Sequence, residues 1–332
     1  MKRCGLVVCV MAYVLLTVPG FSENPYLEVW SVDPLIKVFR DAVFVPGTRA
    51  EDHVARGETA TFQLVLRPTS ALTDVTITLS PFINTGGEAL IAPASLRFVG
   101  YVNVDRPTQR PDSEQVRKPP AAYPDVLFER EVIVTSAGRA QPLWITLTVP
   151  AHAAADNYTA FIVITARSGG NTITKEIPLA LTVYPVTIER ARLWVTNWFV
   201  MHWPHMDISP EPESEEYYAL LRRYARNMAE HRQNVALISP LALTRFGVNG
   251  AGELTFDFSR FDRWVRIFQE EGVLGRIEGG HIGGRVGGWE SNFVVSARTV
   301  RDGAVVSERV APDSEAAKTF YRRFFPALVE HL

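Results

Sequence analysis

Leu193-Trp194-Val195-Thr196-Asn197-Trp198-Phe199-Val200-Met201-His202-Trp203 is the stretch on which the reading of this sequence turns. Its β-branched and aromatic residues suit a strand buried on both faces. Before it the chain is a succession of short alternating strands. After it, amphipathic helical patterns alternate with short apolar strands. The stretch therefore reads as the seam between two architectures and as the first strand of the second. Its C-terminal end carries side chains suited to a polar, hydroxyl-rich ligand.

Upstream, from Glu23 to about Val186, the signal is β throughout. Leu27–Trp30, Thr61–Leu66, Val75–Leu79, Leu96–Val99, Val132–Val134, Leu143–Val149, Thr159–Thr165 and Ile177–Tyr184 are strand-like, several with period 2. Turn clusters such as Thr85-Gly86-Gly87 and Ser168-Gly169-Gly170-Asn171 punctuate them, which predicts a β-sandwich. The Pro- and charge-rich stretch from Arg106 to Tyr123 reads as a long loop.

Downstream, Ser214 caps a helix reaching about Gln233, with Glu215 and Glu216 in its first turn and Tyr217, Leu220, Leu221, Tyr224 and Met228 as its apolar stripe. Val235–Ile238 is a second buried strand. A hairpin with Asn249-Gly250 follows, then a helix from Ser259 with Phe261, Trp264, Val265 and Phe268 on one face, closed by Gly272. Arg276–His281 is a third strand, Phe293–Val310 a hairpin turning at Asp302-Gly303, and Ser314 opens a last helix containing Pro326. This order is how a (β/α)8 barrel of the TIM type begins. Three strands do not close such a barrel, so the expectation is a partial barrel and a chain that forms the N-terminal portion of a longer protein. The predicted fold class is thus multidomain, β plus α/β, with a β-sandwich over residues 23–188 and a partial barrel over 189–332.

Residues 1–22 read as a secretory signal peptide: Lys2 and Arg3 precede the apolar run Gly5–Val18, with small residues Gly20 and Ser22 at the cleavage site. The run falls short of the ~20 residues of a membrane helix. An exported protein is expected, whether periplasmic, cell-surface or secreted, with no membrane span after cleavage. Both cysteines, Cys4 and Cys9, lie in that peptide, which excludes a disulfide framework in the mature chain. The formal net charge of −2, without a dense Lys/Arg cluster, gives no reason to expect nucleic acid as a partner.

In a barrel, ligands meet residues at the C-terminal ends of the strands. Here those are Asn197, Trp198, His202 and Trp203 after the first strand, Ser239 after the second, and Glu278, His281, Arg285 and Trp289 after the third. Directed donors and acceptors beside indole faces suit a sugar, so a carbohydrate cleft is weighed against plain core packing of the tryptophans. Glu278 has a structural alternative, an ion pair with Arg276 or Arg285. His202, His205 and His281 form a weak metal pattern without a carboxylate or cysteine at helical spacing, and no metal or cofactor is expected. The glycines of Gly279–Gly288 fit neither dinucleotide nor P-loop spacing, and suit a close backbone approach to a bulky ligand.

At these residues the chain resembles glycoside hydrolase family 123 and related uncharacterised barrel proteins. The matching stretches are Glu28–Phe39, Arg56-Gly57-Glu58 with Phe62-Gln63, Tyr123-Pro124-Asp125, Gln141-Pro142-Leu143-Trp144, Asn157-Tyr158-Thr159, Phe256–Asp262, and Glu278-Gly279-Gly280-His281 through Gly288-Trp289. The resemblance implies a sandwich followed by a (β/α)8 barrel and release of N-acetylgalactosamine from glycans. In that retaining, substrate-assisted route the substrate's acetamido oxygen attacks C1, an Asp orients it, and an adjacent Glu is general acid/base. The family's Asp-Glu pair ends the fourth barrel strand. No Asp-Glu dipeptide occurs in these 332 residues, so no catalytic residue is assigned and this polypeptide is expected to be inactive. The expected substrate-binding residues are Asn197, Trp198, His202, Glu278, His281 and Trp289, with an N-acetylhexosamine glycan as partner. The competing reading is a non-catalytic carbohydrate-binding or cell-surface scaffold protein, and a third, a metal hydrolase.

Overall fold

Alternation along Asn157–Ser168 is nearly strict: Tyr158, Ala160, Ile162, Ile164 and Ala166 are buried and the residues between them face outward or lie at the margin. Asn171–Thr187 mirrors it with Ile173, Ile177, Leu179, Leu181 and Val183. The two pair antiparallel from Ser168↔Asn171 to Asn157↔Thr182, around a two-residue turn in which Gly169 and Gly170 both take positive φ (54° and 87°). That turn matches the twist of the flanking strands and needs glycine. This hairpin is the spine of the first of two units, residues 1–190 and 191–332, into which the computed structural model divides. The structure describes residues 26–107, 115–130, 133–188, 192–199, 201 and 210–332. The signal-peptide reading of 1–22 and part of the predicted 106–123 loop lie outside these.

The strands of the first unit are β1 (Leu27–Val32), β2 (Ala50–Arg56), β3 (Thr59–Pro68), β4 (Leu72–Leu79), β5 (Phe82–Asn84) and β6 (Ala89–Leu90). They continue with β7 (Ala94–Val104), β8 (Ala121–Phe128), β9 (Ile133–Thr135), β10 (Gln141–Thr148), β11 (Asn157–Ser168) and β12 (Asn171–Thr187). One sheet has the order β1-β3-β10-β7-β8; the other runs β2-β12-β11-β4-β9, with β5 and β6 on its margin. Their inner faces share one apolar core that includes Leu64, Leu143, Ile145, Ile162, Ile164 and Leu179. Lys175 enters this unit's interior and donates to the Leu27 carbonyl at 3.0 Å, and burial holds its ammonium below the usual lysine range. Two strands differ from the sequence reading. β2 carries Glu51, Asp52 and His53 and pairs only with β12; β8 takes in the end of the predicted loop and contains Pro124. Both lie at sheet edges, where charge and proline are tolerated.

The second unit contains α1 (Glu215–Glu230), β13 (Val235–Leu237), α2 (Pro240–Leu243), β14 (Arg245–Val248), β15 (Leu254–Asp257) and α3 (Ser259–Glu270). After these come β16 (Arg276–Glu278), β17 (Gly283–Arg285), β18 (Phe293–Arg301), β19 (Ala304–Val310) and α4 (Glu315–His331), which holds Pro326. β13 and β16 pair in parallel, from Val235↔Arg276 to Leu237↔Glu278. β14–β15 is a hairpin, and β17-β18-β19 is an antiparallel sheet turning at Asp302-Gly303, both with positive φ. Ser214 caps α1 as predicted, accepting the Tyr217 amide at 3.1 Å. The buried face of α1 is Tyr218, Leu221 and Ala225, whereas Tyr224 is 36% exposed, so the stripe is turned by about one residue from the predicted one. That face packs on Phe261, Trp264, Ile267 and Phe268 of α3. Leu254, Phe258, Phe320, Phe324 and Leu328 belong to a second cluster, between the hairpin and α4.

The opening segment departs most from expectation. Among the described residues 192–199 and 201 there is no ladder strand, and Leu193, Trp194 and Trp198 are 73%, 45% and 62% exposed. Instead, Val195 accepts from the amides of Asn234 (3.2 Å) and Val235 (3.1 Å) and donates to Asn234 Oδ1 (2.8 Å). The Asn234 side chain also donates to the Leu193 carbonyl at 2.9 Å, taking the place of a neighbouring strand's backbone. Of the three predicted barrel strands, two therefore pair as a two-stranded parallel sheet and the first is an extended segment tied alongside, without a barrel closed around them among the described residues. Gly275 makes the close approach workable, since a Cβ there would lie 2.8 Å from the Asn234 carbonyl oxygen and 2.9 Å from the Trp194 ring.

Arg222 reaches both Glu270 (2.7 Å) and Glu271 (2.9 Å), and Arg226 binds Glu271 at 3.0 Å, bracing α1 against α3. The hydrogen bonds from Arg226 and Arg222 hold the Glu271 carboxyl below its ordinary value of 4.5. A carboxylate with a depressed folded pKa stabilises the fold above its unfolded value, and that contribution is lost as pH falls through the depressed one. Glu271→Gln is therefore expected to lower stability at pH 7 by on the order of 1 kcal/mol. Urea melts should show the gap from wild type closing as pH falls below 4.5. A gap that persists in strong acid would show that the clamp acts by packing.

Candidate functional site

An extended backbone sends alternate side chains to opposite sides. From the opening segment, Phe199 docks among Tyr224, Trp264 and Phe268 at centroid distances of 6.0, 6.0 and 5.9 Å. Thr196 and Trp198 are out of phase with it and reach the end of β16. There the Trp198 Nε1–H donates to Glu278 Oε1 at 2.8 Å, and the Thr196 hydroxyl donates to Oε2 at 3.0 Å. The His281 ring stands nearly perpendicular to Trp198, with centroids 5.2 Å apart and an interplanar angle of 86°.

Glu278 is positioned by the parallel pairing of β16 with β13, which continues as the Ile238 amide donates to the Glu278 carbonyl at 2.9 Å. Beyond it, Gly280 adopts φ 71° and passes over the end of β13; a Cβ there would be 3.4 Å from Ser239 and 3.6 Å from Leu237. The reversal brings His281 back over the carboxylate's side of the sheet. Tyr321 of α4 fixes the chain just after it, its hydroxyl donating to the carbonyls of Ser296 (2.6 Å) and Ile282 (3.3 Å). Burial at this station raises the Tyr321 phenol above its usual range, which keeps it a donor.

The ion-pair alternative for Glu278 does not hold among the described residues. The Arg276 guanidinium lies 4.0 Å over the Trp194 ring, and Arg285 donates to the Ser291 carbonyl at 2.9 Å. Glu278 is thus held by neutral donors, one on each oxygen. An ionised carboxylate offers about four acceptor directions, so roughly half its capacity is open to a ligand hydroxyl. Beside it lies the indole of Trp198, 62% exposed and fixed at its N–H. A carboxylate with spare lone pairs, an imidazole and an anchored apolar face together can grip one polar ring.

Trp198, Glu278 and His281 are therefore gathered at one place. Trp289 is joined to them through a groove of about 590 Å³ that His281 also lines, together with Arg285 and Phe293. Asn197 is not in the cluster: it lies between Thr196 and Trp198 in an extended segment, and its amide Nδ2 donates to Gln233 Oε1 at 3.4 Å. His202, with Trp203 and His205, lies outside the described residues. Thr196 was not foreseen; its i, i+2 relation to Trp198 was the available signal. No set of three or more His, Cys, Asp or Glu side chains suited to a metal ion occurs among the described residues. The larger groove between α1 and α3 is lined by Arg222, Arg263, Glu215 and Glu270, all engaged in ion pairs across those helices.

Comparison with known proteins places these elements. The sequence model of the glycoside hydrolase 123 N-terminal domain matches residues 45–166, and that of the glycoside hydrolase 123 catalytic domain matches residues 208–332. Among solved structures, a family 123 glycoside hydrolase from Clostridium perfringens, from a study of glycolipid glycan hydrolysis, is similar at TM-score 0.64 with 14% identity. The likeness covers 92% of this chain and 56% of that one, so this chain spans little more than half that enzyme's length. At this identity the likeness establishes fold. The CooA pilin subunit from enterotoxigenic Escherichia coli aligns over 48% of this chain and 100% of its own, with 14% identity, at a TM-score of 0.27, too low to bear on the argument. A search of curated proteins found no match.

The bond between Trp198 and Glu278 can be tested directly. In Glu278→Ala the indole N–H loses its acceptor, and one indole resonance in a proton–nitrogen correlation spectrum is expected to move upfield. Trp198→Phe should delete that same resonance. An indole set unchanged by Glu278→Ala would show that the bond is not made in solution.

Proposed function

The chain belongs to glycoside hydrolase family 123, and we propose that it serves the hydrolysis of glycans bearing a terminal N-acetylhexosamine, with N-acetylgalactosamine the favoured sugar. Within these 332 residues it supplies the side of the cleft that recognises the sugar. The observation that carries this is the Trp198–Glu278 hydrogen bond at 2.8 Å with His281 against the same indole. The apolar face of the sugar lies on Trp198, and its hydroxyls donate to the free lone pairs of Glu278 and exchange hydrogen bonds with His281.

By the family resemblance, the acetamido group of the substrate attacks C1, and an Asp-Glu pair orients it and moves the proton. No Asp-Glu dipeptide occurs in this sequence. Glu278 does not replace it: with Thr196 and Trp198 donating to its two oxygens, it is an acceptor set to orient hydroxyls. We place the barrel of the family fold around this cleft, with the β13–β16 pair as part of its wall. We also propose export, supported by Lys2, Arg3 and the apolar run Gly5–Val18. Among the described residues no helix is long and apolar enough to cross a membrane.

The test uses the 332-residue polypeptide with methyl and nitrophenyl glycosides of N-acetylgalactosamine. Binding without turnover is expected, and Glu278→Ala should weaken binding roughly tenfold or more, the scale of hydrogen bonds to a charged acceptor. Turnover by this polypeptide would overturn the reading that it binds the sugar without cleaving it. Failure to bind the sugar would overturn the cleft itself.

A further inference from the structure

Between β17 and β18 the chain makes a small loop, Val286–Asn292, braced by several hydrogen bonds although its tip is not buried. The Val286 amide donates to the Asn292 carbonyl at 3.1 Å and the Ser291 amide to the Gly288 carbonyl at 3.0 Å. Ser291 Oγ accepts the Gly287 amide at 2.9 Å and donates to the Gly288 carbonyl, and Arg285 Nη1 donates to the Ser291 carbonyl at 2.9 Å. At the tip stands Trp289, 86% exposed, with the Arg285 guanidinium 5.9 Å from its ring centroid. Leaving an indole in water forgoes the gain from burying it. A loop braced to display one, instead of collapsing over it, presents a contact surface.

What the surface fits follows from its surroundings. The groove beneath it, about 590 Å³, is lined by His281, Ile282, Arg285, Trp289, Phe293 and intervening glycines. Glycine at 284, 287 and 288 puts no Cβ into the groove, so a ring can approach the backbone closely. A flat apolar face bordered by a guanidinium and an imidazole matches a pyranose ring, which is apolar on one face and ringed with hydroxyls. A hydrocarbon chain would desolvate Arg285 with nothing in return. The groove also meets the cleft already described, because His281 lines the groove and packs on Trp198.

We propose that Trp289 and Arg285 form a second sugar subsite, so that the ligand is an oligosaccharide with its terminal N-acetylhexosamine at Trp198–Glu278–His281 and the next ring stacked on Trp289. This rests on the reading of that cleft as the sugar site. The mode of contact is stacking with peripheral hydrogen bonds, which tolerates different second sugars.

Titration calorimetry on the full 332-residue chain tests it. The probes are the methyl glycoside of N-acetylgalactosamine and a methyl disaccharide carrying N-acetylgalactosamine at its non-reducing end. Wild-type protein should bind the disaccharide roughly tenfold more tightly than the monosaccharide, the scale of one good aromatic contact. In Trp289→Ala that ratio should fall to near one, and Trp289→Phe should restore part of it. Trp198→Ala should weaken both ligands. If the ratio in Trp289→Ala stays at its wild-type value while Trp198→Ala still weakens both, the second subsite is refuted and the cleft stands. If wild-type protein binds neither ligand, the cleft reading fails and the subsite with it.

Discussion

One carboxylate, Glu278, holds the candidate site together, because it is the meeting point of segments that the sequence separates by about eighty residues. Thr196 and Trp198 come to it from the seam at distances of 3.0 and 2.8 Å, and the Gly280 turn that follows it returns His281 to the same indole. Without the Glu278 acceptor the indole at 198 would be an exposed apolar ring with no fixed direction. The parallel pairing of β13 and β16 sets where that carboxylate stands, and Val195, bound to Asn234 and Val235, sets where the indole can come from. Phe199 completes the constraint by anchoring the far end of the segment among the helices. The site is therefore a consequence of register: a slip of one residue in the seam would turn Trp198 inward and Phe199 outward.

That same alternation explains what could and could not be read from the sequence. Trp198, Glu278 and His281 were legible because strand ends of a βα unit collect ligands, and the pattern Arg-Ile-Glu-Gly-Gly-His announces a strand running into a turn. Asn197 is next to Trp198 in sequence, but neighbours in an extended chain face opposite ways, and it is Thr196 that shares the phase of Trp198. The sandwich was legible in its central strands, where Ile162, Ile164, Leu143 and Ile145 repeat with period 2. Its edges were not: Glu51-Asp52-His53 in β2 and Pro124 in β8 carry no burial signal, since an edge strand has a partner on one side alone. The seam departs from a ladder strand because Trp and Val favour strands through packing against neighbours, and here a side-chain amide, Asn234, stands in place of a ladder partner. On α1 the stripe is shifted because Tyr218, Leu221 and Ala225 take the core face, with Tyr217 at its margin and Tyr224 36% exposed.

The second unit also shows how one kind of side chain is given opposite duties by its partners. Glu271 is bound by two guanidiniums, its carboxyl held low, and its charge spent within the fold between α1 and α3. Glu278, seven residues later, has neutral donors, so its negative charge is not cancelled. Tryptophans divide likewise. Trp264 is buried between helices, Trp194 is covered on one face by Arg276, and Trp198 and Trp289 stand open at 62% and 86% exposure. The residues that hold the architecture are those with saturated partners; the ones left with unspent capacity lie along the path from the seam to the Gly-rich loop.

This distribution bears on how recognition and proton transfer divide in the proposed hydrolysis. A hydrolase that uses the substrate's own acetamido group needs the sugar held firmly enough for that group to reach C1, and orientation is where much of such a rate enhancement originates. An acceptor fixed by two neutral donors suits that task better than an ion-paired one: it can take two hydroxyl hydrogen bonds without first breaking a salt bridge, and its lone-pair directions are set before the sugar arrives. Proton transfer makes a different demand, a carboxyl whose proton comes and goes at the glycosidic oxygen, and a carboxylate whose two oxygens already accept hydrogen bonds is poorly placed to meet it. Recognition and proton transfer therefore call for carboxylates in different surroundings, and Glu278 has the surroundings of the first.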